Sequence, residues 1–252
     1  MLDRDDEYDR MAECEQNLWW YRALHERTAN AVRRHFKAGK AVRILDAGCG
    51  TGGLMLHLQQ LGFGSVEGFD LSDRAVTYCR GRSLAADKLD LREMAQHYSG
   101  AKFDVIVSND TICYLNADEL NSFVASACTL LEENGLFVFN APAFDAFGGT
   151  HDLAVGIQKR FRKSDIQGIA AASGFVQVES SYWPFLLSPV IFSVRSMQRL
   201  KLALGLAGQI HSDVSMPSPW INRLLLGLCR FEQKWLKSPV AGSSLFVVLK
   251  RR

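Results

Sequence analysis

Ten consecutive residues, Ile44-Leu45-Asp46-Ala47-Gly48-Cys49-Gly50-Thr51-Gly52-Gly53, hold the densest capacity for ligand chemistry in this sequence. A short apolar run ends in a carboxylate and then breaks into four glycines within six residues. Glycine turns tightly and lets a ligand approach the backbone without a Cβ in the way. A helix-compatible stretch, Leu54 to Leu61, follows. Its first N–H groups would be free, at the positive end of the helix dipole. That combination suits a nucleotide-like cofactor carrying a carboxylate or a phosphate. Asp70 stands about 20 residues on, where an acid reaches ribose hydroxyls in nucleotide-binding folds.

Other side chains of chemical interest are scattered. Asn109 and Asp110 close an apolar run and either touch a cofactor or cap the next turn. A neutral His151 would accept a proton from an attacking oxygen or nitrogen; the plainer reading is a surface histidine. Arg160 would grip an anion bidentately or simply sit in solvent. Trp19, Trp20 and Tyr21 would stack on a ligand or pack a helix onto the domain. Cys49 reads as a small filler whose backbone N–H does any binding. The remaining histidines have no convergent spacing and no Cys/His metal pattern appears, so no metal is expected.

Positioning these groups requires an alternation of strands and helices. Residues 1–16 are acidic and read as loose, and Asn17–Phe36 reads as one helix ended by Gly39. Strands are expected at Val42–Asp46, Ser65–Asp70, Leu89–Met94, Phe103–Asn109, Gly135–Asn140, Phe175–Ser180 and Ser244–Lys250. Helices are expected at Gly53–Leu61, Asp73–Ser83 with Ser72 or Asp73 as cap, Ala117–Leu131, and from Ser164 to Ala172. This spacing predicts an α/β protein with a mostly parallel sheet covered on both faces. The stretch from Pro184 to Gly242 is too long for a loop and must carry its own helices, near Val190–Leu206 and Trp220–Trp235. The expected organisation is an N-terminal helical cap segment (1–40), a cofactor-binding core (41–183), a helical insertion capping the substrate (184–242) and a last core strand (243–252).

Composition narrows the function classes. A formal charge of +2 in 252 residues gives no argument for nucleic acid. Six scattered cysteines fit a reducing cytoplasm better than a disulfide framework. The opening LDRDDEYDR lacks the apolar core of a signal peptide. Charge is uneven, however. Between Pro184 and Gly242 stand seven Lys or Arg residues and only Asp213 and Glu232. Three readings of those basic, apolar helices stay open: an ordinary cap core, a site for an apolar or anionic substrate, or a peripheral contact with an anionic membrane.

Gly48, Gly50 and Gly53 also satisfy the dinucleotide pattern G-x-G-x-x-G, so the glycines alone leave NAD open. Four segments in order decide the resemblance. ILDAGCGTG, VEGFDLSDRAV, FDVIVSNDTICYL and LLEENGLFVFNAP resemble the motifs of class I S-adenosylmethionine-dependent methyltransferases, across roughly residues 40–180. The resemblance implies a Rossmann-like seven-stranded sheet with an antiparallel last strand. It implies that Asp46, Gly48, Cys49, Gly50 and Gly52 hold the methionine end, that Asp70 and the adjoining Leu71 meet the ribose, and that the backbone near Met94 reads adenine, with Asn109 and Asp110 close by. WWYRALHERTANAV is similar to an N-terminal helix in one small-molecule branch, which implies that Arg22 approaches the methionine carboxylate. HDLAVGIQKRFRKSDI is similar to a His-Asp…Gly-His-x-Arg-Arg-Tyr segment of that branch, with Ile157 and Lys159-Arg160-Phe161 as departures. Tyr114-Leu115 replaces a frequent His-Leu, and Asn134-Gly135 a frequent Pro-Gly.

The implied activity is methyl transfer from S-adenosyl-L-methionine to an oxygen or nitrogen of a small metabolite, of natural-product, sugar or lipid type. Trp19, Trp20, Tyr114, His151 and Arg160 would face the acceptor, with His151 as base. Two rivals remain: an NAD-dependent oxidoreductase using the same loop, and a non-catalytic module that binds a partner or a membrane.

Overall fold

The computed structural model describes residues 5–36, 42–206 and 215–252; the side chain of His151 and the expected helix stop at Gly39 lie outside the described residues. In chain order the elements are α1 (Asp5–Cys14), α2 (Trp19–His35), β1 (Arg43–Ala47), α3 (Gly53–Gln60), β2 (Ser65–Asp70), α4 (Asp73–Gly81), β3 (Ala85–Lys88), α5 (Met94–His97) and β4 (Phe103–Asn109). They continue with α6 (Ala117–Leu130), β5 (Leu131–Pro142), α7 (Thr150–Val155), α8 (Lys163–Ala172), β6 (Phe175–Trp183), α9 (Ser188–Ala203), α10 (Pro219–Trp235) and β7 (Ser244–Arg251).

Seven strands form one sheet in the order β3-β2-β1-β4-β5-β7-β6. β1 to β5 pair in parallel, and β7 runs antiparallel between β5 and β6. The strands read as unbroken apolar runs because both faces are covered. On β5, Phe137 and Phe139 enter one core layer while Leu136 and Val138 enter the other. α6 starts where Asn116 Oδ1 accepts the N–H groups of Asp118 and Glu119, each at 3.0 Å, and Glu119 returns the bond to the Asn116 N–H. Such a box fixes the helix start. Ser72 caps α4 in the same way, accepting from the Arg74 N–H at 3.2 Å.

Three local expectations need correction. The acidic N-terminus is helical rather than loose, because Tyr8 and Cys14 bury one face and Asp5, Asp6 and Glu7 complement the positive end of the dipole. The third strand is Ala85–Lys88, not Leu89–Met94. Asp90 accepts from the Arg92 N–H at 2.9 Å and starts a short 3-10 turn at Leu91–Glu93, which buries Met94 through a bend. α8 begins at Lys163, one residue early for a Ser164 cap; Asp165 Oδ2 accepts the Arg162 N–H at 2.8 Å instead.

Candidate active site

β1 lies between β2 and β4, so successive connections leave it in opposite directions. Loops part at such a switch point and open a crevice beyond the carboxyl ends of the strands. The glycine loop lines it. The Gly48 and Cys49 N–H groups donate to the Phe69 carbonyl at 2.8 and 2.9 Å, pinning the loop to β2. Gly48 has φ +82°, and a Cβ there would stand 2.5 Å from Thr111 Cγ2. Gly50 has φ +53° and would bring a Cβ to 2.9 Å from Met11 Sδ. Both positions therefore favour glycine for conformation, and Gly48 requires it for space as well.

Two carboxylates at adjacent strand ends differ in their surroundings. Asp70 Oδ2 accepts from the Gly50 N–H at 2.9 Å, and Oδ1 accepts from the Ser72 N–H at 3.0 Å and the Tyr8 hydroxyl at 3.1 Å. Burial raises its pKa, and these bonds oppose the rise. A carboxylate offers about four acceptor positions, so Asp70 retains little spare capacity while Tyr8 is in place. Asp46 is 2% exposed and accepts no hydrogen bond among the described residues. Burial, with Asp70 and Glu15 nearby, pushes its pKa up to about 7.

Beside Asp46, Asn109 donates through Nδ2 to Thr28 Oγ1 at 3.3 Å, while its Oδ1 is buried without a hydrogen-bond partner. Asp46 and Asn109 line the same cavity, and a buried carboxylate together with an unpaired buried carbonyl oxygen creates a demand for a cationic donor. Residues not foreseen as site residues complete this end. Glu15 Oε2 accepts the Gly53 N–H at 3.0 Å, and Oε1 accepts the Thr51 hydroxyl at 2.7 Å and pairs with Arg82. Arg82 also donates to the Thr51 and Ala12 carbonyls at 2.8 and 3.1 Å. The chain's own carboxylate thus sits at the start of α3, where an anion is favoured. Tyr8, Met11 and Glu15 recur at helical spacing, the one sequence signal that pointed to this face.

The crevice opens into a cavity of about 420 Å³. Asp46, Gly48, Cys49, Gly50, Asp70, Asn109 and Asp110 line it, and so do Trp19, Trp20, Tyr114 and Arg160. Arg22, Gly52, Leu71 and Met94 are not among the lining residues. Arg22 is half-buried and acts electrostatically on His57, Gly52 caps α3, Leu71 is exposed and Met94 is fully buried. Trp20 also stacks on Trp183 at 4.5 Å between ring centres, so Trp20 both packs α2 and walls the cavity.

Next to Asn109, the segment after α7 returns along the ends of the strands. The Gln158 N–H donates to the Cys113 carbonyl at 3.0 Å and the Phe161 N–H to the Pro142 carbonyl at 2.8 Å. This places Arg160 beside Asp110. Arg160 is not a solvated charge: it holds Asp152 with two 2.7 Å bonds and donates to the Ala143 carbonyl at 3.0 Å. Asp110 has φ +54° and accepts from Asn140 Nδ2 at 2.7 Å. Its residual exposure faces the cavity rather than bulk water. Desolvation raises its pKa to about 6, against the Asn140 bond and the Arg160 charge. His25 also lines the cavity, but burial and His57 push its pKa down to about 3, which makes it a weak base. Burial raises Tyr21 and Tyr114, keeping both phenols protonated.

A family model described as a methyltransferase domain matches residues 16–200. The chain belongs to the class I S-adenosylmethionine-dependent methyltransferases. A malonyl-[acyl-carrier protein] O-methyltransferase of Enterobacter lignolyticus (strain SCF1) is 28% identical over 123 residues, 49% of this chain and 48% of that one. The chain spans about half the length of the curated relatives it matches. Among solved structures, a SAM-dependent methyltransferase from Archaeoglobus fulgidus aligns with a TM-score of 0.57 at 16% identity, covering 90% of this chain and 94% of that one. A putative sarcosine dimethylglycine methyltransferase from Galdieria sulphuraria aligns with a TM-score of 0.58 at 13% identity, covering 90% and 85%. At that identity the likeness is one of fold.

Membership decides between the two cofactors that the glycines left open, since S-adenosyl-L-methionine is the cofactor of this methyltransferase family. The residues present fit it. Asp46 and Asn109 Oδ1 offer unpaired acceptors for an ammonium, and the glycine positions leave the backbone open to close approach.

Proposed function

We propose that this methyltransferase moves a methyl group from S-adenosyl-L-methionine to an oxygen or nitrogen atom of a small, largely apolar metabolite. The observation that carries the reading is the buried Asp46, whose raised pKa has no hydrogen bond to oppose it, with the unpaired Asn109 Oδ1, in a cavity that Asp110 also lines. When bound, the cofactor supplies an electrophilic methyl carbon on a sulfonium centre.

The chain's residues then have separate tasks. Asp46 and Asn109 hold the ammonium, and Asp70 takes a ribose hydroxyl as Tyr8 shares or yields its place. Phe147, Val155, Ile157 and Ile191 give the acceptor an apolar wall, and Arg160, held by Asp152 and the Ala143 carbonyl, keeps a fixed positive charge beside it. Tyr21 and Tyr114 donate hydrogen bonds that orient the acceptor. Asp110, ionised above a pKa of about 6, receives the acceptor's proton. His151 is the alternative base; it belongs to α7, whose Val155 lines the same cavity. Alignment of acceptor and methyl carbon, with water excluded, is the larger part of such catalysis. An oxygen acceptor agrees with the relative named for O-methylation. Residues 1–40 and 184–242 serve in this reading as the two caps over the 41–183 core.

Titration calorimetry tests the assignment. S-adenosyl-L-methionine should release heat with one site per chain, and NAD should not. Asp70→Ala should weaken that binding roughly 100-fold, the value of one to two charge-assisted hydrogen bonds. Heat from NAD alone, or wild-type affinity in a folded Asp70→Ala protein, would overturn it.

A further inference from the structure

α10 presents three different faces. Asn222, Leu226, Cys229 and Glu232 are buried toward the body of the protein. Asn222 binds the Trp19 N–H and the Asn17 carbonyl, each at 2.8 Å, and Glu232 Oε2 accepts the Phe185 and Leu186 N–H groups at 2.7 and 3.1 Å. On the opposite side Trp220, Leu224, Phe231 and Trp235 follow helical spacing and are 67%, 54%, 54% and 63% exposed. Along one border of that apolar stripe run Arg223, Arg230 and Lys234, all exposed, with Arg230 paired to Glu26 of α2, and Lys237 follows the helix end. Glu232, the only acid in α10, is buried. α9 repeats the composition: Val190, Val194, Met197 and Leu200 are exposed, its charges are all basic, and it contains no acid.

We propose that the outer face of α10 docks on an anionic lipid bilayer. Four large apolar side chains in water on one helix have a cost that burial removes. Their stripe is as long as the helix, about 24 Å at 1.5 Å per residue, and it ends in Trp220 and Trp235. Tryptophan concentrates at the boundary between lipid tails and headgroups. A helix with an apolar arc bordered by Lys and Arg, and without exposed acids, matches a bilayer surface carrying negative charge. A second copy of the chain fits worse, because facing stripes would bring Arg223 and Lys234 of each copy together. An acidic protein would answer the cations but leaves a full-length apolar stripe to be matched by a complementary groove. The proposal is independent of the methyl-transfer reading.

Sedimentation with vesicles tests it on the whole protein. Vesicles of phosphatidylcholine and phosphatidylglycerol in equal parts should carry the protein down at low salt. High salt should release it, and vesicles of phosphatidylcholine alone should bind far less. Tryptophan emission should shift to the blue on binding. Trp220→Ala and Trp235→Ala should each weaken binding roughly tenfold or more, and Arg223→Gln and Lys234→Gln about fivefold each, with unfolding midpoints near that of the parent. The salt dependence of the parent protein decides the matter if a variant fails to fold. No sedimentation with the anionic vesicles, or equal sedimentation with neutral ones, would overturn the proposal. So would a dimer in light scattering, or binding to an acidic carrier protein, that the same variants abolish while vesicles remain unbound.

Discussion

The strand-end crevice and the α10 face invert each other's chemistry. In the crevice, buried acids stand among apolar walls. On α10, the acid is buried for structure while apolar and basic groups face water. The crevice holds left-handed backbone at Gly48, Gly50 and Asp110, whereas none of the left-handed residues falls within α10. Backbone of this kind persists only where surrounding structure over-determines it, which for Asp110 is the bond from Asn140 Nδ2 and the Asp110 N–H donated to the Asn140 carbonyl at 2.8 Å. The lesson is that one chain separates two kinds of recognition. Unsatisfied buried polar groups select a small charged ligand, and unsatisfied exposed apolar groups select a surface.

The sharpest break in that contrast comes from Asp110→Asn. If Asp110 accepts the proton, single-turnover methyl transfer should fall by roughly 10²- to 10⁴-fold. In the parent, the rate should decline as pH drops below about 6, because Asp110 protonates there. His151→Ala should leave that profile unchanged over pH 6–9; a loss confined to His151→Ala would move the role of base to histidine.

Glu232→Ala comes next, since it tests whether the acid of α10 is structural. It strips a buried charge of its contact with Arg27 (3.8 Å) and leaves two N–H groups unsatisfied. Breaking one side of a buried pair costs about 3–5 kcal/mol, readable as a lower urea midpoint. A loss below about 1 kcal/mol would place Glu232 with the ordinary surface acids.

Asp46→Asn should act in the opposite sense on stability. The folded pKa of Asp46 is raised from an ordinary 3.8 to about 7. A raised carboxylate favours folding below its unfolded pKa, and the benefit is lost as pH climbs through the folded value. The ligand-free variant should therefore melt higher than the parent at pH 8 and at nearly the same temperature at pH 4, while its affinity for S-adenosyl-L-methionine falls. A variant less stable at pH 8 would show that Asp46 is paired in the free protein. The smallest effect belongs to Trp220→Ala and Trp235→Ala, which should change stability by less than about 0.5 kcal/mol. A larger loss would mean that the α10 face is covered within the chain.

Much of this was legible in the residue order. Ser65–Asp70 and Phe103–Asn109 match observed strands at both ends, because a buried strand between turn signals carries its own boundaries. The helices of the insertion were expected within a few residues of α9 and α10. The acidic start was misjudged because its helix is stabilised by contacts far along the chain: Tyr8 with Asp70 and Glu15 with Gly53. The Leu89–Met94 expectation failed because buried Leu89 and Met94 flank a turn that lies at the surface, and such spacing looks alike in a strand and around a 3-10 turn.

Local order alone determined the glycine loop, the acids at the strand ends, the α/β alternation and the charge bias of the insertion. These follow from backbone freedom and periodicity, which act within a few residues. Only the tertiary structure decided which acid is free. Asp70 is engaged by Tyr8, a residue 62 positions away, while Asp46 and Asn109 Oδ1 are left unpaired. Asp110 likewise owes its raised pKa to desolvation in the folded chain, held in check by Asn140 and Arg160, both distant in sequence. Ionisation and hydrogen bonding depend on what lies within a few ångströms, and that neighbourhood exists only once the sheet has assembled.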